Sequence, residues 1–144
     1  MTIQQEIKGI RVMGYRSDVA YSIRWDSDDV QKHRDSFYTF LAEAKANPAT
    51  SPCFTMEDFS VTVNEEKFRI DFHADDAKWY DSYAEVIAHT ELLKMAMEYH
   101  NGTPPHPVEY KFVRVGEQSD DVEEQSTANY DWDTPYIVRH IETD

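Results

Sequence analysis

Apolar positions change their spacing several times along the chain, and each change marks an element. Phe59, Val61 and Val63 alternate with Ser60 and Thr62, a period of two that leaves one apolar face, as in a half-buried strand. Asn64-Glu65-Glu66 interrupts with turn-forming polar residues. Phe68, Ile70 and Phe72 then resume the alternation against Arg69 and Asp71, so the pair predicts a hairpin. After His73-Ala74-Asp75-Asp76 the period becomes helical. At about 100° per residue, Trp79, Tyr83, Val86, Leu93 and Met97 share one face, with Tyr80 and Ile87 on its flank. Asp81, Glu85, Met95 and Tyr99 fall mostly opposite. Asp75 and Asp76 stand where a helix start favours acceptors and anions. Asn101-Gly102 followed by Pro104-Pro105 supplies the stop.

The N-terminal half reads in the same terms. Ile7 to Tyr15 predicts a strand and Arg16-Ser17-Asp18 a turn. Val19, Tyr21, Ile23 and Trp25 then alternate with Ala20, Ser22 and Arg24 in a second strand. Asp26-Ser27-Asp28-Asp29 offers cap residues to a helix whose Val30, Phe37, Leu41 and Ala44 share a face, with Phe40 beside them, and Asn47-Pro48 closes it. Ala49 to Pro52 reads as a linker, and Cys53 to Met56 as the approach to the strand at Phe59, with a bulge near Glu57-Asp58. Val108, Tyr110 and Phe112 form the last strand, where Val113 and Val115 switch the apolar side. That switch predicts either burial on both faces or a bulge.

The resulting order, ββαββαβ, predicts an α+β two-layer sandwich with an antiparallel or mixed sheet and both helices on one face. From Val19 onward the element order is similar to the ferredoxin-like one. The halves also resemble each other: Tyr21 to Asp29 matches Phe68 to Asp76 at a constant offset of 47. An internal duplication is one explanation. The preferred one is that strand–cap–helix junctions draw on a small residue vocabulary.

Charge alters the picture at one end. The chain of 144 residues carries 28 acidic and 14 basic side chains, a net −14, which opposes non-specific binding to phosphate backbones or anionic membranes. Residues 116–144 hold nine acids and one base, a net −8. Residues 1–115 are therefore expected as one α+β domain, followed by an acidic tail over 116–144. Within that tail, Gly116 to Asn129 is polar and without periodicity and reads as a flexible linker. Tyr136 to Ile141 has the chemistry of a short docking strand. Cys53 is the sole cysteine and allows no internal disulfide. With no basic, apolar leader and no stretch of about 20 apolar residues, a cytoplasmic protein is expected.

Candidate chemistry is sparse. His73 beside Asp75 and Asp76 is the most enzyme-like cluster, although the preferred account is that the acids cap the helix and His73 lies on a surface bend. Glu85 and His89 are helical neighbours that read as a surface pair. Glycines never cluster into a phosphate-binding loop, and no nucleophile–base–orienter set emerges from spacing. No cofactor or metal is expected. The leading expectation is a non-catalytic module that engages a basic surface on another protein through Asp120, Asp121, Glu123, Glu124, Tyr130, Asp131, Trp132, Asp133 and Tyr136. It would contact no nucleic acid or membrane directly. In charge and size the chain resembles small acidic inhibitors, often virus-encoded, that mimic DNA and occupy the groove of a nucleic-acid-handling protein. The alternative is a small enzyme or ligand-binding domain with a pocket built from His73, Asp75, Tyr83 and His89. A third reading is a homodimer paired through the tail strand.

Overall fold

The computed structural model describes residues 15–127. They form an α+β fold of five strands and three helices in the order β1 (Ser17–Trp25), α1 (Val30–Ala46), α2 (Pro52–Thr55), β2 (Thr62–Asn64), β3 (Arg69–Ala77), α3 (Ala84–His100), β4 (Val108–Gly116) and β5 (Val122–Ser126). The sheet order is β2-β3-β1-β4-β5, with every neighbouring pair antiparallel. The strand expected at Ile7 to Tyr15 lies, Tyr15 apart, outside the described residues. No helix among them is long and apolar enough to cross a membrane.

Both long helices cover the same sheet face. Val19, Tyr21, Ile23 and Trp25 of β1 meet Phe37, Phe40, Leu41 and Ala44 of α1 and Ala88, Leu92 and Ala96 of α3 in one core, which Ile70, Phe72, Val108, Tyr110 and Phe112 complete. Trp25 is its hinge, with ring centroids 5.3 Å from Phe37 and 4.9 Å from Phe40. Such aromatic pairs add to the area they bury. β4 is buried on both faces, since Val113 and Val115 are as enclosed as Tyr110 and Phe112.

Local chemistry explains the element ends. Asp29 accepts from the Lys32 amide at 3.1 Å and caps α1, which runs to Ala46 with Asn47 as its C-cap. Asn64 accepts from the amides of both Glu66 and Lys67 at 3.0 Å, closing the β2–β3 turn. Phe68 leaves that turn at φ 55°, an uncommon backbone for an aromatic residue.

Several expectations are corrected. α3 begins at Ala84, so Asp75 and Asp76 do not cap it and Trp79 precedes it. β3 instead continues through Ala77, because Ala74 and Ala77 pair with Val19 and Ser17 across a bulge. Asp76 sits there at φ 55°, its amide donating to Asp18 Oδ1 at 2.8 Å. The apolar face of α3 is rotated accordingly: Met95 is buried, while Ile87 and Met97 are exposed. Val30, placed on the core face of α1, is 60% exposed at its first position. The strand read from Phe59 shortens to β2, and the Val61 amide donates to the Cys53 carbonyl at 2.8 Å instead. Finally, part of the expected linker is β5, which pairs with β4 from Val115↔Val122 to Lys111↔Ser126.

Candidate functional site at the acidic end of the sheet

Antiparallel register decides which charges meet. Ser17 lies opposite both Ala77 and Gly116, and Asp18 opposite Val115, so the start of β1, the end of β3, the end of β4 and the start of β5 converge. These segments and the chain directly after β3 and β4 carry Asp18, Asp75, Asp76, Asp81, Glu117, Asp120, Asp121, Glu123 and Glu124. Their cations are Arg16, Lys78 and Arg114. Carboxylates as far apart in sequence as Asp18 and Glu124 thereby share one end of the sheet.

Arg114 organises the interior of this end. Its Nη2 and Nη1 donate to Asp121 Oδ1 and Oδ2 at 2.8 and 3.2 Å, a bidentate pair. Nε donates to Glu123 Oε1 at 3.1 Å, and Nη1 also to Ser17 Oγ at 3.1 Å. The Asp121 hydrogen bond, with that to Glu123, holds the guanidinium above its ordinary pKa. Tyr15 donates its hydroxyl proton to Asp121 Oδ2 at 2.6 Å and accepts from the Gln118 amide at 3.2 Å, closing the turn. Gly116 lets these groups approach, since a Cβ there would collide with both the Asp121 carboxylate and the Tyr15 hydroxyl.

Two adjoining cavities open beside this cluster, the larger between the segment that follows β3 and the β4–β5 hairpin, the second between α3 and that hairpin. The larger, about 450 Å³, is lined by Tyr15, Ser17, Trp79, Tyr80, Asp81, Arg114, Asp121 and Glu123. The second, about 330 Å³, shares Trp79, Asp81 and Glu123 and adds Leu93, Lys94, Met97, Tyr110 and Phe112, among others. Both volumes fall within the usual range for ligand sites. Trp79 packs against Phe59, Phe72 and Phe112, at centroid distances of 5.9, 6.0 and 6.3 Å, and against His89 at 6.0 Å. The larger cavity holds three carboxylates against one guanidinium, so its field is negative.

Comparison with known proteins adds no relative. No family model matches the chain, and neither a curated protein nor a solved structure matches it. The chemistry of the site is therefore read from its own residues.

Of the residues singled out in sequence, Asp121 and Glu123 line the cleft, while Asp120 and Glu124 lie beside them on the exposed surface. Tyr130, Asp131, Trp132, Asp133, Tyr136 and the strand expected at 136–141 lie outside the described residues. Of His73, Asp75, Tyr83 and His89, the structure pairs only the first two. His73 and Asp75 pair at 2.9 Å with side chains 60% and 72% exposed. Tyr83 is exposed at the start of α3.

His89, expected on the surface with Glu85, is fully buried against Phe72. Its Nε2 lies 2.9 Å from the Phe59 carbonyl, which only accepts, so Nε2 carries the proton. Nδ1 then accepts from the Tyr21 hydroxyl at 2.6 Å. Burial pushes the imidazole pKa down to about 4. His89 is thus a neutral structural group.

One pairing escaped sequence reasoning: Ser36 Oγ lies 2.7 Å from His106 Nδ1, across 70 residues. Ser36 also accepts from the Trp25 indole at 3.1 Å. It sits in the interior of α1, whose backbone amides are committed to helix hydrogen bonds and offer no oxyanion donor. The pair fastens the loop before β4 to α1. Among the described residues no group of three His, Cys, Asp or Glu side chains is placed to hold a metal ion.

Proposed function

We propose that the protein is a non-catalytic binding module whose acidic sheet end engages a basic surface on another protein. The observation that carries this reading is the register of β1, β3, β4 and β5, which gathers nine carboxylates around three cations. A concentrated negative field steers association with a cationic partner and selects against anionic ones. The phosphate-binding groove of a nucleic-acid-handling protein is such a partner, and occupying it would make the chain an inhibitor that mimics DNA. The setting proposed is the cytoplasm, where Cys53 stays reduced. We further read β1 to β4 as a ferredoxin-like core extended by β5. The strand order and antiparallel sense support that reading.

The test is capture of partners by tagged full-length protein under crosslinking, followed by binding measurements with the captured protein at about 0.05 M and 0.5 M salt. The expected result is at least tenfold weaker binding at the higher salt. Asp120→Asn/Glu124→Gln, which changes two exposed side chains, should weaken binding further while leaving the fold intact. A partner without a basic surface, or an affinity indifferent to salt, would sink the proposal.

A further inference from the structure

We infer that the cleft shared by Trp79, Asp81 and Glu123 is an anchor site for an arginine side chain in the partner's basic segment; this rests on the binding reading above and names the contact that gives it specificity. Three observations converge on a guanidinium. First, Trp79 is half-buried, lines both cavities and is held by the rings of Phe59, Phe72, His89 and Phe112, so the part of its indole that meets the cleft is fixed in place. A planar, weakly hydrated cation stacks on an indole better than a compact ammonium does. Second, Asp81 lines both cavities and is exposed, and among the described residues no hydrogen bond or ion pair engages its carboxylate. Asp121, by contrast, is committed to Arg114 and Tyr15, and Glu123 to Arg114 and Gln125. Third, the surplus of carboxylates in the larger cavity excludes anionic ligands. A neutral apolar ligand would strip water from Asp81 with nothing in return.

Lys94 fixes the orientation. It lines only the second cavity, with Leu93 and Met97. An arginine head is therefore drawn to the Asp81 end, and the apolar wall of α3 receives the neighbouring part of the segment. Because Lys94 opposes a cation, its removal separates this site from one built for an acid or a neutral group.

The experiment titrates full-length protein with acetyl-Gly-Arg-Gly-amide, following the indole N–H signal of Trp79 by NMR. Parallel titrations use lysine, citrulline and glutamate in place of arginine. The Arg peptide is expected to shift the Trp79 signal at millimolar concentration, about tenfold more tightly than citrulline and several-fold more tightly than lysine. Asp81→Asn should weaken the Arg peptide about tenfold, and Lys94→Ala should tighten it about two- to threefold. Equal binding of Arg and citrulline peptides, an Asp81→Asn variant that binds normally, or weaker binding by Lys94→Ala would each overturn the inference. If the Arg peptide leaves Trp79 unmoved while Asp120→Asn/Glu124→Gln still weakens the captured partner, the cleft assignment alone fails. If salt and those substitutions also leave partner binding unchanged, the binding reading falls with it.

Discussion

His89 shows how one buried side chain can make a fold sensitive to acid. In the native protein its pKa is lowered to about 4 from 6.5, chiefly by burial. Above about pH 6.5 the imidazole is neutral in both folded and unfolded chains, and its contribution is complete. As pH falls toward 4, the unfolded chain takes up a proton that the native one refuses, so stability declines and then levels off. The loss attributable to this residue is about 3 kcal/mol. Urea denaturation at several pH values should show that decline, and His89→Gln should remove it from the difference between the two profiles. Cys53 lies in the same core, its thiol pushed up to about 12 by burial, which leaves it an inert packing group.

Among the elements, those with a single dominant signal were the legible ones. β1 alternates cleanly, β4 does so from Val108 to Phe112, and α1 carries a cap, an apolar stripe and a stop in the expected places. The start of α3 was not legible, because Asp75 and Asp76 satisfy the chemistry of a helix cap as well as that of a bulged strand end. Pairing with β1 settles the choice, and a single sequence does not display pairing. Trp79 and Tyr83 matched the helical spacing by coincidence, and including them rotated the inferred face away from His89. β5 was invisible for another reason. Val122-Glu123-Glu124-Gln125-Ser126 has no apolar face, so its strand depends on partners: the β4 ladder and the Arg114 bonds to Asp121 and Glu123. The same dependence explains why sequence reading found Asp120, Asp121, Glu123 and Glu124 but not Asp81, Arg114 or Trp79. It also predicts that Arg114→Met, which keeps the aliphatic stem, loosens β5 selectively. Amide hydrogen exchange at residues 122–126 should accelerate by about tenfold while the amides shared by β1 and β3 stay protected.

For the molecule as a whole, the arrangement of charge matters more than its total. A net −14 spread evenly would repel weakly, whereas carboxylates drawn to one end of a sheet oppose one another at short range. That repulsion is screened within about 10 Å at 0.1 M salt. Raising salt from about 0.02 M to 0.3 M should therefore raise the melting temperature by roughly 2–5 °C. Asp120→Asn/Glu124→Gln should reduce that dependence. A melting temperature that ignores salt would mean that the carboxylates do not interact, and the proposed function would lose its cause. The free state thus carries a local electrostatic cost, which the proposed cationic partner would relieve on binding.

The missing side chain at residue 116 has a bearing on that cost. Because nothing projects from the backbone there, a tyrosine, an aspartate and an arginine from three separate segments can close into one cluster. A single methyl group would force the carboxylate away from the guanidinium and free negative charge toward the cleft, with no ionisable residue gained or lost. The strength of the field at this surface is thus governed by a position that carries no charge at all.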